Sequence, residues 1–286
     1  MSSPAPMPLE NVNDFVPLPG NGTGFIHSSW ARILESNGLR SLDDFFKVAG
    51  TSLSKPGLGK RYRAQIELKN GGKSAVVFLK RYNGESWRGL WRRRFEDHEA
   101  SAIALREVFV AQALQKLGIN TFLPLAWGWR GPWGPSQKSF VLMSRVEGES
   151  LENWVPKRFA NARDTWRKKI GLIESLAQFS QRLHGSGWFH RDFYLCHIFI
   201  HEAGGGDQLA LVDLARMFRP RWPRRWLIKD LAQLNFSAAP EFFSKTLRLR
   251  FAQKYFGTGR FSDEDKIVLR KIIRRTEKMR RRESSK

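Results

Sequence analysis

Trp188-Phe-His-Arg-Asp-Phe-Tyr-Leu-Cys-His-Ile-Phe-Ile200 is the stretch from which this chain can be read outward. In it His190-Arg191-Asp192 follows a helical segment that closes at His184-Gly185, and His197 stands five residues beyond the acid. A carboxylate held in a turn, with a ligand-capable side chain at a fixed distance beyond it, suits an acid that must meet a proton in one place. After the loop marked by Gly204-Gly205-Gly206, the apolar run Leu209-Ala-Leu-Val212 delivers a second acid, Asp213, in an Asp-Leu-Ala triplet.

Upstream, Tyr62, Ala64, Ile66 and Leu68 alternate with Arg61, Arg63, Gln65 and Glu67, the pattern of a half-buried strand, and Asn70-Gly71 is a strong hairpin signal. The returning strand is expected over Ser74 to Lys80, with Ala75-Val-Val-Phe-Leu79 leading into Lys80 at its end. Before the hairpin, Gly57-Leu58-Gly59 is either a plain turn or a loop whose backbone N–H groups can approach an anion. Leu105, Phe109, Ala113, Leu114 and Leu117 recur at helical spacing and Gly118 closes the segment, which carries Glu107. Phe140-Val-Leu-Met143 is an apolar strand running into Ser144-Arg145-Val146-Glu147-Gly148. Beyond it, Ser150 to Trp154 and the helix through Ile170, Ile173, Leu176, Ala177, Ser180 and Leu183 open a helical region. Ser28 to Asn37 reads as a short helix, and residues 1 to about 24, rich in proline and glycine, as a flexible leader.

The acid of the His-Arg-Asp turn and the acid of the later triplet share the layout of a kinase catalytic loop and its metal-binding triplet. The run from His190 to Phe199 resembles the WaaP-type lipopolysaccharide heptose kinases more than ordinary protein kinases, because His rather than Asn stands five residues after the acid. The likeness continues through Val212-Asp213-Leu214-Ala215-Arg216, Pro223-Arg224-Arg225-Trp226, Lys229-Asp230-Leu231 and Phe236-Ser237, over roughly residues 45 to 280. Ala215 departs from it, since His often stands there in the family. The resemblance implies an α+β, bilobal protein-kinase-like fold: a small β-rich N-lobe over residues 25–146 and a larger, mainly helical C-lobe over 147–286.

It also implies roles. Asp192 would orient the acceptor hydroxyl and take its proton, Asp213 would hold Mg2+, and Lys80, positioned by Glu107 or by Glu99, would neutralise the phosphates of ATP. Gly57 and Gly59 would cover those phosphates, and Ser144 and Val146 would meet the adenine through their backbone. His197 occupies the place of a second metal ligand. Imidazole is a poor partner for hard magnesium, so a hydrogen-bonding role is preferred for it. His184, His190, Arg191 and Asp230 are expected to be architectural, Asp230 by accepting backbone hydrogen bonds from the catalytic turn. Cys196, beside His197, is expected to be packed and inert, since neighbours on a strand point to opposite faces.

Charge narrows the partner. With 49 Lys plus Arg against 27 Asp plus Glu, the net +22 implies a polyanion: nucleic acid, an anionic membrane surface or a phosphorylated lipid. Three clusters carry the excess: Arg88 with Arg92-Arg93-Arg94, then Arg219, Arg221, Arg224 and Arg225 among Trp222 and Trp226, and the tail from Lys266. Tryptophan beside arginine suits a lipid headgroup layer. The second cluster follows Asp213, where it would flank the acceptor, so Arg221, Arg224 and Arg225 are expected to grip a lipopolysaccharide precursor or another anionic glycolipid rather than nucleic acid. The single cysteine excludes an intramolecular disulfide and a thiolate zinc cluster. No signal peptide and no apolar run of the roughly 20 residues needed to span a bilayer is evident, which implies a cytoplasmic protein, peripheral at the inner membrane face. The leading reading is an ATP- and magnesium-dependent kinase of a sugar hydroxyl in the lipopolysaccharide inner core, by resemblance heptose. Its alternatives are a kinase of the same fold acting on Kdo, another glycolipid or protein, and an inert kinase-like module that binds anionic lipid or nucleic acid.

Overall fold

In the computed structural model, which describes residues 14–53, 61–84, 102–132, 134–160, 166–203 and 206–285, the chain divides into two units. The first takes Met1–Ala113 and Phe122–Arg145, the second Leu114–Thr121 and Val146–Lys286.

The first unit begins with β1 (Phe15–Pro17), which pairs antiparallel with β2 (Thr23–His27). This corrects the expected leader from residue 14 onward, which is tied into the sheet although most of its residues are exposed, while residues 1–13 lie outside the described residues. Phe15 and Leu18 are buried, and a Cβ on Gly22 would lie 2.5 Å from the Trp129 carbonyl oxygen. Glycine here serves close approach, not disorder. Two short helices follow, α1 (Ala31–Ser36) and α2 (Leu42–Lys47), the second started by a capping box between Ser41 and Asp44. After the edge strand β3 (Thr51–Ser52), β4 (Arg61–Asn70) and β5 (Lys73–Asn83) form a long hairpin in which Ala64, Ile66 and Leu68 are buried as their alternation requires.

Two details of that hairpin differ from expectation. The turn is Gly71-Gly72, with φ of 53° and 83°, while Asn70 still pairs with Lys73. Two consecutive positive φ values are what a two-residue hairpin turn demands, and two glycines meet that demand better than Asn-Gly. The returning strand also runs past Lys80 to Asn83, so Lys80 lies inside the sheet rather than at a strand end. The helix α3 (Ile103–Lys116) stops at Gly118, whose φ is 66°. A short strand β6 (Asn120–Thr121) belongs to the second unit; β7 (Pro124–Arg130) and β8 (Lys138–Ser144) return to the first and complete a sheet ordered β1-β2-β7-β8-β5-β4-β3. Leu34, Leu42, Phe45, Leu79 and Phe140 belong to one buried cluster on this sheet, in which the rings of Phe45 and Phe140 stack with centroids 4.6 Å apart.

The second unit contains β9 (Glu149–Ser150), α4 (Leu151–Phe159), α5 (Trp166–Gly185), β10 (Ile198–Ala203) and β11 (Gly206–Leu211). Then come α6 (Pro223–Ser237), α7 (Lys245–Phe256) and α8 (Asp263–Ser284). The small sheet has the order β6-β11-β10-β9, and the parallel β6–β11 pairing explains why residues 120 and 121 join this unit. Ala177, Leu231, Ala232, Tyr255, Val268 and Ile272 pack the four long helices together. The segment Leu195–His197 is a single 3-10 turn, not a strand, so the opposite-face argument for Cys196 does not apply; its thiol is half-buried. Phe140→Ala should lower the stability of the chain by about 3–5 kcal/mol, read from urea denaturation, because it removes a fully buried ring and its stacking partner's contact.

Candidate active site

Each unit carries its own set of polar groups. In the first, Lys80 projects from the middle of β5 and its Nζ lies 2.6 Å from Oε2 of Glu107 on α3. Glu107 is wholly buried and Lys80 nearly so. A carboxylate so far from water is tolerable only if its oxygens are bonded, and the second oxygen, Oε1, accepts the hydroxyl of Tyr82. Tyr82 was not singled out from the sequence, although its place two residues beyond Lys80, on the same face of the strand, is a readable signal. Ser144 donates its backbone N–H to the Leu123 carbonyl at 2.9 Å, and its hydroxyl accepts the Leu123 N–H, also at 2.9 Å, so its own donor is engaged within the first unit. Val146 is half-buried at the start of the second. Gly57, Gly59, Glu99 and the cluster Arg88 with Arg92, Arg93 and Arg94 lie outside the described residues.

In the second unit the His-Arg-Asp turn is tied to one face of α6. Asp230 is fully buried and accepts two backbone N–H groups, from His190 at 2.7 Å and Arg191 at 2.9 Å. One turn on, Gln233 Oε1 accepts the N–H of Phe193 at 3.2 Å, and Ser237 Oγ accepts that of Leu195 at 3.0 Å. Positions 230, 233 and 237 share a helical face, so one helix satisfies four backbone donors of the loop. Held this way, Arg191 adopts a φ of 72°. Asp213 adopts 59°, and these are the only two non-glycine residues with positive φ among those described. Each such conformation costs on the order of 1–3 kcal/mol and marks a functional position when its surroundings enforce it.

The side chains follow from that frame. His190 is buried and Nε2 donates to the Val212 carbonyl at 2.9 Å; burial pushes its pKa down, with His197 adding to the fall, so the ring is neutral. This bond joins the catalytic turn to the residue before Asp213. His197 Nδ1 lies 2.7 Å from the Asp192 carbonyl oxygen, which can only accept, so Nδ1 carries the proton and Nε2 presents a lone pair. That lone pair faces Oδ2 of Asp213 across 3.8 Å. Two acceptors so placed call for a proton or a cation between them. His184 bonds the Tyr255 hydroxyl at 2.7 Å inside the helical core.

Around Asp192 the sequence-based expectations need redistribution. Arg216, not assigned a role from the sequence, places Nη1 2.9 Å and 2.7 Å from the two carboxylate oxygens of Asp192. Lys229 donates to the Arg191 carbonyl, and burial pushes its pKa down to about 8, opposed by the nearby charge of Asp192. Its signal was adjacency to Asp230, while Arg216 had only its nearness to Asp213. Arg191 is buried between the rings of Phe218 and Trp226, 5.0 Å and 4.9 Å from their centroids. Arg221, Arg224 and Arg225 are exposed at the start of α6, Arg225 over Trp226 and Arg221 over Trp222.

A strand lysine locked to a buried helix glutamate, with a turn aspartate and a left-handed aspartate in the other unit, is the equipment of a protein-kinase-like phosphotransferase. The chain belongs to the lipopolysaccharide kinase (Kdo/WaaP) family, whose profile matches residues 59–255. It is 28% identical over 184 residues to the lipopolysaccharide core heptose(I) kinase WaaP of Pseudomonas aeruginosa, covering 63% of this chain and 69% of that one. Against the protein of the same description from Escherichia coli strain K12 it is 28% identical over 236 residues, 71% of this chain and 85% of that one. A solved structure of WaaP in complex with acyl carrier protein superposes with a TM-score of 0.67 at 25% identity, covering 89% of this chain and 98% of that one. The α+β, bilobal kinase fold and the kinase activity expected from the sequence therefore hold, with ATP as phosphate donor and a divalent cation. Asp230→Ala should cost on the order of 2–5 kcal/mol in chemical denaturation, because it strands two buried N–H donors.

Proposed function

We propose that the chain transfers the γ-phosphoryl group of ATP to a heptose hydroxyl of the lipopolysaccharide inner core. The observation that carries this reading is the Asp230-anchored turn holding Asp192, which His197 links to Asp213, in a chain whose curated relatives are heptose(I) kinases. Asp192 orients the acceptor hydroxyl and takes its proton as the oxygen–phosphorus bond forms, the bond to the bridging oxygen breaks and ADP departs. Lys80, aimed by Glu107 and Tyr82, neutralises phosphate charge. The phosphate-covering role goes to Gly57 and Gly59, and adenine meets the carbonyl of Ser144 and the backbone of Val146.

Asp213 would hold the divalent cation, with Nε2 of His197 3.8 Å from its Oδ2 while Nδ1 is engaged by the Asp192 carbonyl. No cluster of three or more His, Cys, Asp or Glu side chains gathers among the described residues, and phosphate and water oxygens would complete the shell of a cation held there. Bound there, Mg2+ supplies charge neutralisation for the phosphates. Arg221, Arg224 and Arg225, exposed with Trp222, are assigned to anionic groups of the glycolipid. Among the described residues no helix is long and apolar enough to cross a membrane, and the +22 net charge supports peripheral work on the anionic inner face of the cytoplasmic membrane.

Radiolabelled γ-phosphate from ATP should appear in truncated lipopolysaccharide bearing unphosphorylated heptose. Asp192→Asn should lower that rate by about 10²–10⁴-fold while ATP still binds. Label confined to Kdo, another glycolipid or protein would reassign the acceptor, and failure of both transfer and ATP binding would leave an inert anion-binding module.

A protein partner is also proposed. Among α5, α6, α7 and α8 lies a cavity of about 600 Å³, lined by Leu176, Leu231, Leu234, Phe251 and Ile272, with Arg248 and Arg280 in its wall. That volume is in the range of small-molecule sites, about 300–1,000 Å³, and well above the voids a packed core leaves. The solved relative bound to acyl carrier protein suggests the occupant: the acyl chain of such a carrier. Carrier loaded with a long acyl chain should raise the melting temperature of this chain, and carrier lacking the chain should not.

A further inference from the structure

We infer that Arg216 guards Asp192: it competes with water for the carboxylate until an acceptor hydroxyl displaces it. The inference rests on Asp192 being the base. A single guanidinium nitrogen bonds both carboxylate oxygens, at 2.9 Å and 2.7 Å, so the edge between the two oxygens is closed by the arginine and only their outer lone pairs stay open. With that edge closed, a water molecule must compete with the guanidinium for a place at the base.

The contact is built to be broken. The Arg216 side chain is 45% exposed and that of Asp192 23%. Ion pairs this open to solvent are weak and are readily exchanged for another hydrogen-bonding group. The neighbouring arginines are differently committed: Arg191, Arg219, Arg221 and Arg225 each lie over an aromatic ring, at 4.8–5.9 Å from a ring centroid. Arg216 instead commits its guanidinium to the carboxylate. It also sits at the end of the 3-10 turn Leu214–Arg216, whose preceding residue is Asp213. When displaced, its charge therefore remains next to the metal-side acid, where negative charge passes with the phosphoryl group. Asp192 is not left without a counter-charge either, because Lys229 lies close enough to sense it.

Two reactions then compete for one base. In transfer, the sugar oxygen bonds to the γ-phosphorus, the bridging oxygen leaves with ADP and the hydroxyl proton goes to Asp192. In hydrolysis, water takes the place of the sugar hydroxyl and the products are ADP, inorganic phosphate and a proton. Arg216 suppresses the second, since water cannot offer the multiple contacts through which a glycolipid compensates for the lost pair.

The full-length Arg216→Ala protein tests this through two rates: ADP release without acceptor, and label transfer to truncated lipopolysaccharide. Acceptor-free ADP release is expected to rise about fivefold, the change in accessible base when an exposed pair of this strength is removed, while transfer falls. A gain of hydrolysis cannot come from a damaged fold. Arg216→Gln, which keeps the bulk, serves the same measurement if the alanine protein melts early. Unchanged or lower acceptor-free ADP release, with ATP binding intact, overturns the guard and leaves the kinase reading standing. In the double variant Arg216→Ala with Asp192→Asn the gain should vanish; its persistence would instead remove Asp192 as the base, and with it the reading beneath.

Discussion

The interaction on which the second unit depends is a buried carboxylate accepting two backbone N–H groups. Asp230 has no access to water, and its negative charge is balanced by donors from His190 and Arg191. Those bonds make the left-handed Arg191 tolerable, and the left-handed residue aims the next side chain, Asp192. Gln233 and Ser237 extend the same logic along α6. A helix turns a flexible loop into a fixed one here because each loop donor would otherwise be buried without a partner. The catalytic geometry is therefore a by-product of hydrogen-bond satisfaction, not of side-chain packing alone.

Cations are sorted by environment in a way that composition conceals. Arg191 is held between two rings and contributes packing. Lys229 is half-buried, with its ammonium pinned to a loop carbonyl. Arg216 faces a carboxylate, and Arg221, Arg224 and Arg225 face solvent. A single excess of positive charge thus divides into structural, site-proximal and surface populations.

Much of the fold was legible from periodicity and glycine. Alternation through Ala64, Ile66 and Leu68 located β4, and Gly118 ended α3 where it was expected to. The hairpin turn was misplaced by one residue because Gly71-Gly72 competes with Asn70-Gly71, and only the pairing register separates them. The early strands were missed because glycine and proline in residues 14–24 look alike whether they loosen a chain or let Gly22 and Gly24 pass close to Leu42. In the site, two pairs far apart in sequence were readable through the family resemblance: Lys80 with Glu107, 27 residues on, and Asp230 with the turn, 40 residues back from it at His190. Arg216 was not, since the family resemblance gave it no role and nothing in spacing or charge distinguishes it from the arginines around it.

The double anchoring of Glu107 carries a consequence for the helix that bears it. Both donors, Lys80 and Tyr82, come from β5, and the carboxylate they hold is wholly buried on α3. Moving that helix away would leave a naked charge in an apolar interior, a penalty of several kcal/mol. In this chain both partners of the lysine–glutamate pair lie within the first unit, so the pair is kept or lost with that unit's own packing.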